Sequence, residues 1–166
     1  LAQHASAESD DIAAHIDVMP TILEACGVQA PPALKLDGRS FWGLATEKAE
    51  AWPARPLVIQ AHRGDVPVRR HQFMIRDGEW KLLHASGFGR DTFSADPNYE
   101  LYHVVSDPGE SKNRADAEPE IIARLLSEYE AWFDDVSATR PDNYAPPRIS
   151  MGTPHENPTT LTRQDW

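Results

Sequence analysis

The sequence holds a single cysteine, Cys26. One thiol makes neither an internal disulfide nor a cysteine-based metal site, so the redox compartment stays open. No run of about 18 apolar residues occurs, which excludes a helix of the usual membrane-spanning kind. Positive charge is short: 16 Lys and Arg against 26 Asp and Glu leave a net charge of −10. Nucleic-acid affinity comes mainly from Lys and Arg neutralising phosphates, so general nucleic-acid binding is excluded as well. The motifs G-x-S-x-G, H-E-x-x-H and G-x-G-x-x-G are absent, and so is a P-loop. The residues therefore supply no self-sufficient active site. The opening LAQHASAESDD has neither the basic nor the apolar region of a signal peptide, so localisation is unassigned between periplasm, exterior and cytoplasm. A start at Leu1 rather than Met suggests a processed chain or a piece of a longer protein.

What is there fits an α+β fold. With 166 residues, 40% of them hydrophobic, the chain is long enough to bury roughly 70% of its unfolded surface. DVMPTILEACG predicts a short helix from Val18 to Cys26. Asp17 would serve as N-cap, Pro20 falls in the first turn where its missing donor is not needed, and Gly27 supplies the left-handed stop. Met19, Ile22, Leu23 and Cys26 recur at helical spacing, so this side is an apolar stripe with Cys26 as a packed thiol. QAPPALKLDGRSFWGL is an irregular connector ending in an anchor of Leu36, Phe41, Trp42 and Leu44.

The clearest local signal is HQFMIRDGEWKLLH. Asp77-Gly78 predicts a type I′ hairpin turn, placing Arg76 opposite Glu79, Ile75 opposite Trp80, Met74 opposite Lys81 and Phe73 opposite Leu82. Phe73, Ile75, Trp80 and Leu82 then share one buried face. LVIQA (57–61) and YELYHVV (99–105) supply further strands, giving an antiparallel sheet of about four. Asp107-Pro108-Gly109-Glu110 has the pattern of a capping box and should organise a short turn after the sheet. From Pro119 to Asp135, the residues Ile121, Ile122, Leu125, Leu126, Tyr129, Trp132 and Phe133 form one stripe of a long amphipathic helix that covers the sheet. Its other side, with Glu120, Glu128, Glu130 and Asp134, reads as a solvated face. Residues from Ser137 onward carry five prolines and no hydrophobic period, which predicts an extended tail that could wrap over a neighbour.

Within this acidic chain, the stretch His62 to His84 gathers Arg63, Arg69, Arg70, Arg76 and Lys81 against Asp65, Asp77 and Glu79. His62-Arg63-Gly64-Asp65 directly follows a predicted strand, and a guanidinium fork with a neighbouring imidazole suits sulfate, phosphate or carboxylate oxygens. The competing reading is local, with Arg63 and Asp65 forming a loop ion pair and His62 capping the strand. His15 with Asp17, and His155 with Glu156, are weak metal or catalytic candidates, because no third ligand arrives at metal spacing. No catalytic and no metal-binding residue is assigned.

The order HIDVMPTILEACGV, LKLDGRSFWGL, IRDGEWKLLH, YELYHVVSDPGESKN and a Pro-Glu-initiated helix ending near Trp132 resembles the C-terminal part of arylsulfatase-type sulfatases, in the alkaline phosphatase superfamily. The resemblance covers about residues 14–136, and the tail RISMGTPHENPTTLTRQDW is similar to a stretch that follows the core in some bacterial members. It implies a smaller subdomain with a four-stranded antiparallel sheet and one long helix beside a large catalytic α/β domain. It also implies sulfate ester hydrolysis by a formylglycine made in a C/S-x-P-x-R motif, with calcium held by Asp and Asn residues. That motif is missing here, since Cys26 is followed by Gly-Val-Gln-Ala. Calcium and formylglycine are thus implied for a preceding domain and not for this chain.

The resulting expectation has three parts: residues 1–52 as a helix and connector that pack on the N-terminal sulfatase domain, 53–136 as the C-terminal subdomain, and 137–166 as the tail. The resemblance puts His62 and Arg63 where the subdomain approaches the cleft, as substrate-binding residues for the sulfate ester. Alone, the chain is expected to be inactive, and its uncovered apolar stripe is expected to promote self-association. The alternatives are a non-catalytic binding module for a sulfated or other anionic glycan, and an acidic domain whose stripe recruits a protein partner.

Overall fold

The computed structural model describes residues 11–46, 52–61, 67–85 and 98–138. A four-stranded antiparallel sheet in the order β1-β2-β3-β4 forms its centre, with β1 at Leu57–Gln60, β2 at Phe73–Asp77, β3 at Trp80–His84 and β4 at Glu100–His103. Alternation along these strands sends Phe73, Ile75, Leu82 and Leu101 to one face. There they meet Leu125, Tyr129 and Phe133 of the long helix to make the core. That helix, α3, spans Pro119–Ser137 with Pro at its first turn, where a missing N–H costs no hydrogen bond. The stripe expected from its spacing is the stripe that packs, with Ile121, Ile122, Leu126 and Trp132 flanking the buried residues.

The hairpin differs from expectation by a shift in register. Asp77 pairs with Trp80, Arg76 with Lys81, Ile75 with Leu82, Met74 with Leu83 and Phe73 with His84, so the two-residue loop is Gly78-Glu79. Among the described residues of this turn only Gly78 has positive φ, at 54°, the requirement of a II′ loop with Gly first rather than of I′. A non-glycine residue at Asp77 would have to take positive φ in the expected loop. Moving the loop by one residue gives that role to Gly78. Each residue's partner moves by two positions, an even number, which is why the buried face survives unchanged.

Before the sheet, a 3₁₀ turn at His15–Asp17 runs into α1 (Val18–Ala25). Asp17 is therefore already helical, with φ −81° and ψ −14°, and makes no side-chain cap for α1. An N-cap needs the extended conformation that Ala14 has instead. Cys26 is exposed rather than packed, and Met19 and Ile22 are 49% and 57% exposed. Leu23 alone of the expected stripe is half-buried. The connector forms a one-turn helix, α2 (Trp42–Ala45), and none of Leu36, Phe41, Trp42 and Leu44 is fully buried.

Past β4, Asp107 to Glu110 makes a turn and not a capping box. Glu110 N–H bonds to the Asp107 carbonyl at 3.0 Å, while the Asp107 carboxylate accepts from the Ser111 and Lys112 N–H groups. Those donors hold the Asp107 carboxyl below its ordinary value. Glu110 has φ 51° and turns its carboxylate to the Lys81 ammonium on β3, 2.6 Å away. The tail expected to be extended lies outside the described residues, apart from Ser137 at the end of α3 and Ala138.

Candidate functional site

The β1–β2 connection leaves the sheet at Gln60 and returns at Phe73, its paired neighbour. The β3–β4 connection leaves from the same end, after His84. His62, Arg63 and Asp65 belong to the first of these connections and lie outside the described residues. What is described is the frame on either side of them.

That frame changes the reading of the basic stretch. Arg69 reaches Glu130 and Asp134 of α3, and Arg70 reaches Glu130. Arg69 also lies 4.4 Å over the Phe133 ring. Lys81 is held by Glu110, and Arg76 turns toward the Gly78 carbonyl. Among the described residues, Arg69, Arg70 and Lys81 are thus paired with internal partners, and Glu130 with the exposed Asp134 clamps the two arginines from α3. Of the other two acidic groups on the face expected to be solvated, Glu120 is exposed and Glu128 pairs with Arg124, which also reaches Asp77. Burial pushes the Glu130 carboxyl up, but hydrogen bonds and charge from Arg70 and Arg69 outweigh it and leave it below its ordinary 4.5.

Beneath the clamp sits a relay of neutral groups. The Tyr129 hydroxyl accepts from the Arg70 N–H at 2.8 Å and donates to the Gln60 Oε1 at 3.1 Å. Gln60 Nε2 then donates to the carbonyls of Val68 and His71, at 2.8 and 3.0 Å. Burial raises the Tyr129 pKa, so this hydroxyl stays protonated as the donor that Gln60 requires. Sequence reasoning placed Tyr129 in the core stripe and missed its polar end.

A second constellation lies around α1. The Asp17 carboxylate accepts the N–H groups of Ala14 and Arg39, each at 2.7 Å, and pairs with the Arg55 guanidinium. Burial alone would raise Asp17, yet the Arg39 and Ala14 N–H bonds and the Arg55 charge win and lower it. Thr21 donates to the Asp17 carbonyl and accepts the Phe41 N–H, stitching LDGRSFW onto α1. Gly38 makes this approach possible: a Cβ there would fall within 3 Å of the Ile16 carbonyl carbon and oxygen and of the Asp17 nitrogen. His15 is exposed and Asp17 buried, so the pair does not converge on a common ligand. His155 and Glu156 lie outside the described residues. A cavity of about 240 Å³ opens beyond Arg55, lined by Trp52, Arg76 and Glu79 among others.

Among the described residues no three His, Cys, Asp or Glu side chains converge as metal ligands, and exposed Cys26 lacks the flanking Pro and Arg of a formylglycine motif. These residues fit neither calcium nor formylglycine.

A family model described as N-sulphoglucosamine sulphohydrolase, C-terminal, matches residues 2–132. The chain belongs to this sulfatase C-terminal family. It is 30% identical over 115 residues to mouse (Mus musculus) arylsulfatase K, covering 66% of this chain. It is 30% identical over 155 residues to the Delta 4,5-hexuronate-2-O-sulfatase of Bacteroides thetaiotaomicron, covering 86%. The chain spans 19% and 29% of those relatives' lengths. Among solved structures, that of Ps i-CgsB in complex with k-i-k-neocarrahexaose aligns over 70% of this chain and 23% of its own, with TM-score 0.52 and 19% identity, a likeness of fold.

Proposed function

We propose that this chain is the C-terminal part of a sulfatase that hydrolyses sulfate esters, that it braces the catalytic domain, and that it lines the substrate cleft with His62 and Arg63. The observation that carries the proposal is the outer face of α1. Val18, Met19 and Ile22 are 46%, 49% and 57% exposed, although the helix is anchored from behind by the buried Asp17–Arg55 pair. A rigidly held apolar face of this kind is suited to a further apolar surface, and family members of which this chain spans a fraction have the chain length to supply one. The formylglycine and calcium of the family's chemistry then belong to that preceding portion, and this chain's residues bind and orient.

The test of the contact is Arg63→Ala in the protein including its preceding sequence, with folding checked by thermal melting. The expected result is a fall in kcat/KM for a sulfate ester of about tenfold or more, or roughly 1.4 kcal/mol of lost transition-state binding. An unchanged kcat/KM in a folded variant overturns the assignment of Arg63. The test of the wider reading is the preceding reading frame, where a C/S-x-P-x-R motif is expected and a stop or an unrelated domain would contradict it.

A further inference from the structure

We infer that the chain contains a hinge: the described residues of 11–55 and those of 57–138 are two bodies that swing against each other about Pro56. Each body is tied within itself. In the first, Asp17 accepts the Ala14 and Arg39 N–H groups and pairs with Arg55, and Thr21 accepts the Phe41 N–H. The Trp52 indole N–H donates to the Ile12 carbonyl and Arg39 donates to the Pro53 carbonyl, each at 3.1 Å, so residues 52–55 belong with α1 although they lead into β1. In the second body, every residue of the apolar core, and every partly buried one packed against it, lies between Val58 and Phe133.

The facing surfaces are separated by voids in two places. A cavity of about 260 Å³ opens between Ile16, Asp37 and Arg39 on one side and Leu57, Val58 and Trp132 on the other. In the cavity of about 240 Å³ beyond Arg55, Ile12 and Trp52 likewise face Arg76 and Glu79. Voids larger than a water molecule are few in a close-packed interior, so two along one seam mark a boundary and not a core. Among the described residues one ion pair crosses that seam, Lys35 with Asp135 at 2.6 Å, and its side chains are 61% and 55% exposed. A pair so open to solvent holds weakly. Bodies that share little apolar surface move relative to each other by default. The joint is narrow, because Arg55 is fixed to Asp17 and Leu57 is paired with Arg76 of β2, which leaves Pro56 between them. Such short stretches at the end of an element absorb the dihedral change of a hinge. The motion is a property of this chain; its consequence rests on the reading given above, in which α1 meets the catalytic portion, so that the sheet and α3 swing as one body toward or away from it.

The experiment measures distances across the seam by double electron–electron resonance in this chain. Nitroxides are placed on Cys26, exposed beside α1, and on Glu120→Cys at the exposed start of α3, with unlabelled chain added to suppress signals between molecules. A control pair within the second body uses Gly109→Cys and Glu120→Cys after Cys26→Ser, since a Cβ at Gly109 meets nothing. Circular dichroism checks that each variant is folded. The expected distribution across the seam is about twofold or more broader than that of the control, and Lys35→Ala is expected to broaden it further. A distribution across the seam as narrow as the control, in the parent and in Lys35→Ala alike, overturns the hinge. A broad distribution that Lys35→Ala leaves unchanged keeps the hinge and overturns Lys35 as its latch. Neither result depends on the Arg63→Ala or reading-frame tests, so a failure of the hinge and a failure of the functional reading are told apart.

Discussion

The carboxylate of Asp17 and the guanidinium of Arg55, 38 residues apart, form an ion pair in which 0% and 8% of the two side chains remain exposed. The pair ties the 3₁₀ turn before α1 to the segment that leads into β1. Both remaining faces of the carboxylate are taken by backbone donors, so the buried charge is satisfied from three sides. Removing one partner leaves an uncompensated charge, which costs about 3–5 kcal/mol in comparable buried pairs. Arg55→Met should therefore destabilise by that order, read from urea unfolding. The pH dependence has a definite sign. Because the folded-state pKa of Asp17 is depressed below its ordinary 3.8, its contribution is fully present above that value and is lost as pH falls through the lower folded value. Asp17→Asn should flatten stability against pH in the region below about pH 4. An Asn variant with the same acid limb as the parent contradicts this account of the pair.

Gly38 carries the second prediction. Its backbone passes so close to Ile16 that even a methyl group meets backbone atoms that cannot step aside as a side-chain tip would. Gly38→Ala should cost roughly 1–3 kcal/mol of stability by overpacking. A melting temperature equal to the parent's would mean that the LDGRS segment is free to lift from α1.

The third prediction concerns α1 itself. With Met19 and Ile22 about half exposed, the isolated chain should self-associate with rising concentration in sedimentation equilibrium. Ile22→Asp should return it toward monomer mass. A parent chain that sediments as a clean monomer across the range would remove the argument that this face requires a covering surface.

Much of the fold was legible because hydrophobic period is a direct consequence of geometry. The α3 stripe from Ile121 to Phe133 and the alternation of Phe73 and Ile75 encode the faces that pack. The hairpin register was not legible from Asp77-Gly78, since the turn type depends on which residue takes positive φ, and the strand faces are compatible with either loop. Asp17 was misread as an N-cap because a cap and a buried acceptor have the same local sequence; the partner that distinguishes them, Arg55, arrives 38 residues later. Cys26 was expected to be a packed thiol and is exposed, while Met19 and Ile22 of the α1 stripe are uncovered among the described residues, as expected for the chain alone. Part of the basic stretch is paired within the fold for a similar reason. Composition counts Arg69 and Arg70 as charge, while Glu130 and Asp134, some sixty residues away, neutralise them. His62 and Arg63 are outside the described residues, so their assignment rests on family resemblance and on the loop in which they lie.

The most direct measurement of the central claim compares aryl sulfate hydrolysis by this 166-residue chain alone with hydrolysis by the same chain joined to its preceding sequence, with intact mass recorded for both. The account predicts no turnover and no formylglycine mass for the chain alone, and turnover once the preceding portion is attached. Hydrolysis by the isolated chain, or an aldehyde found at Cys26, would contradict it.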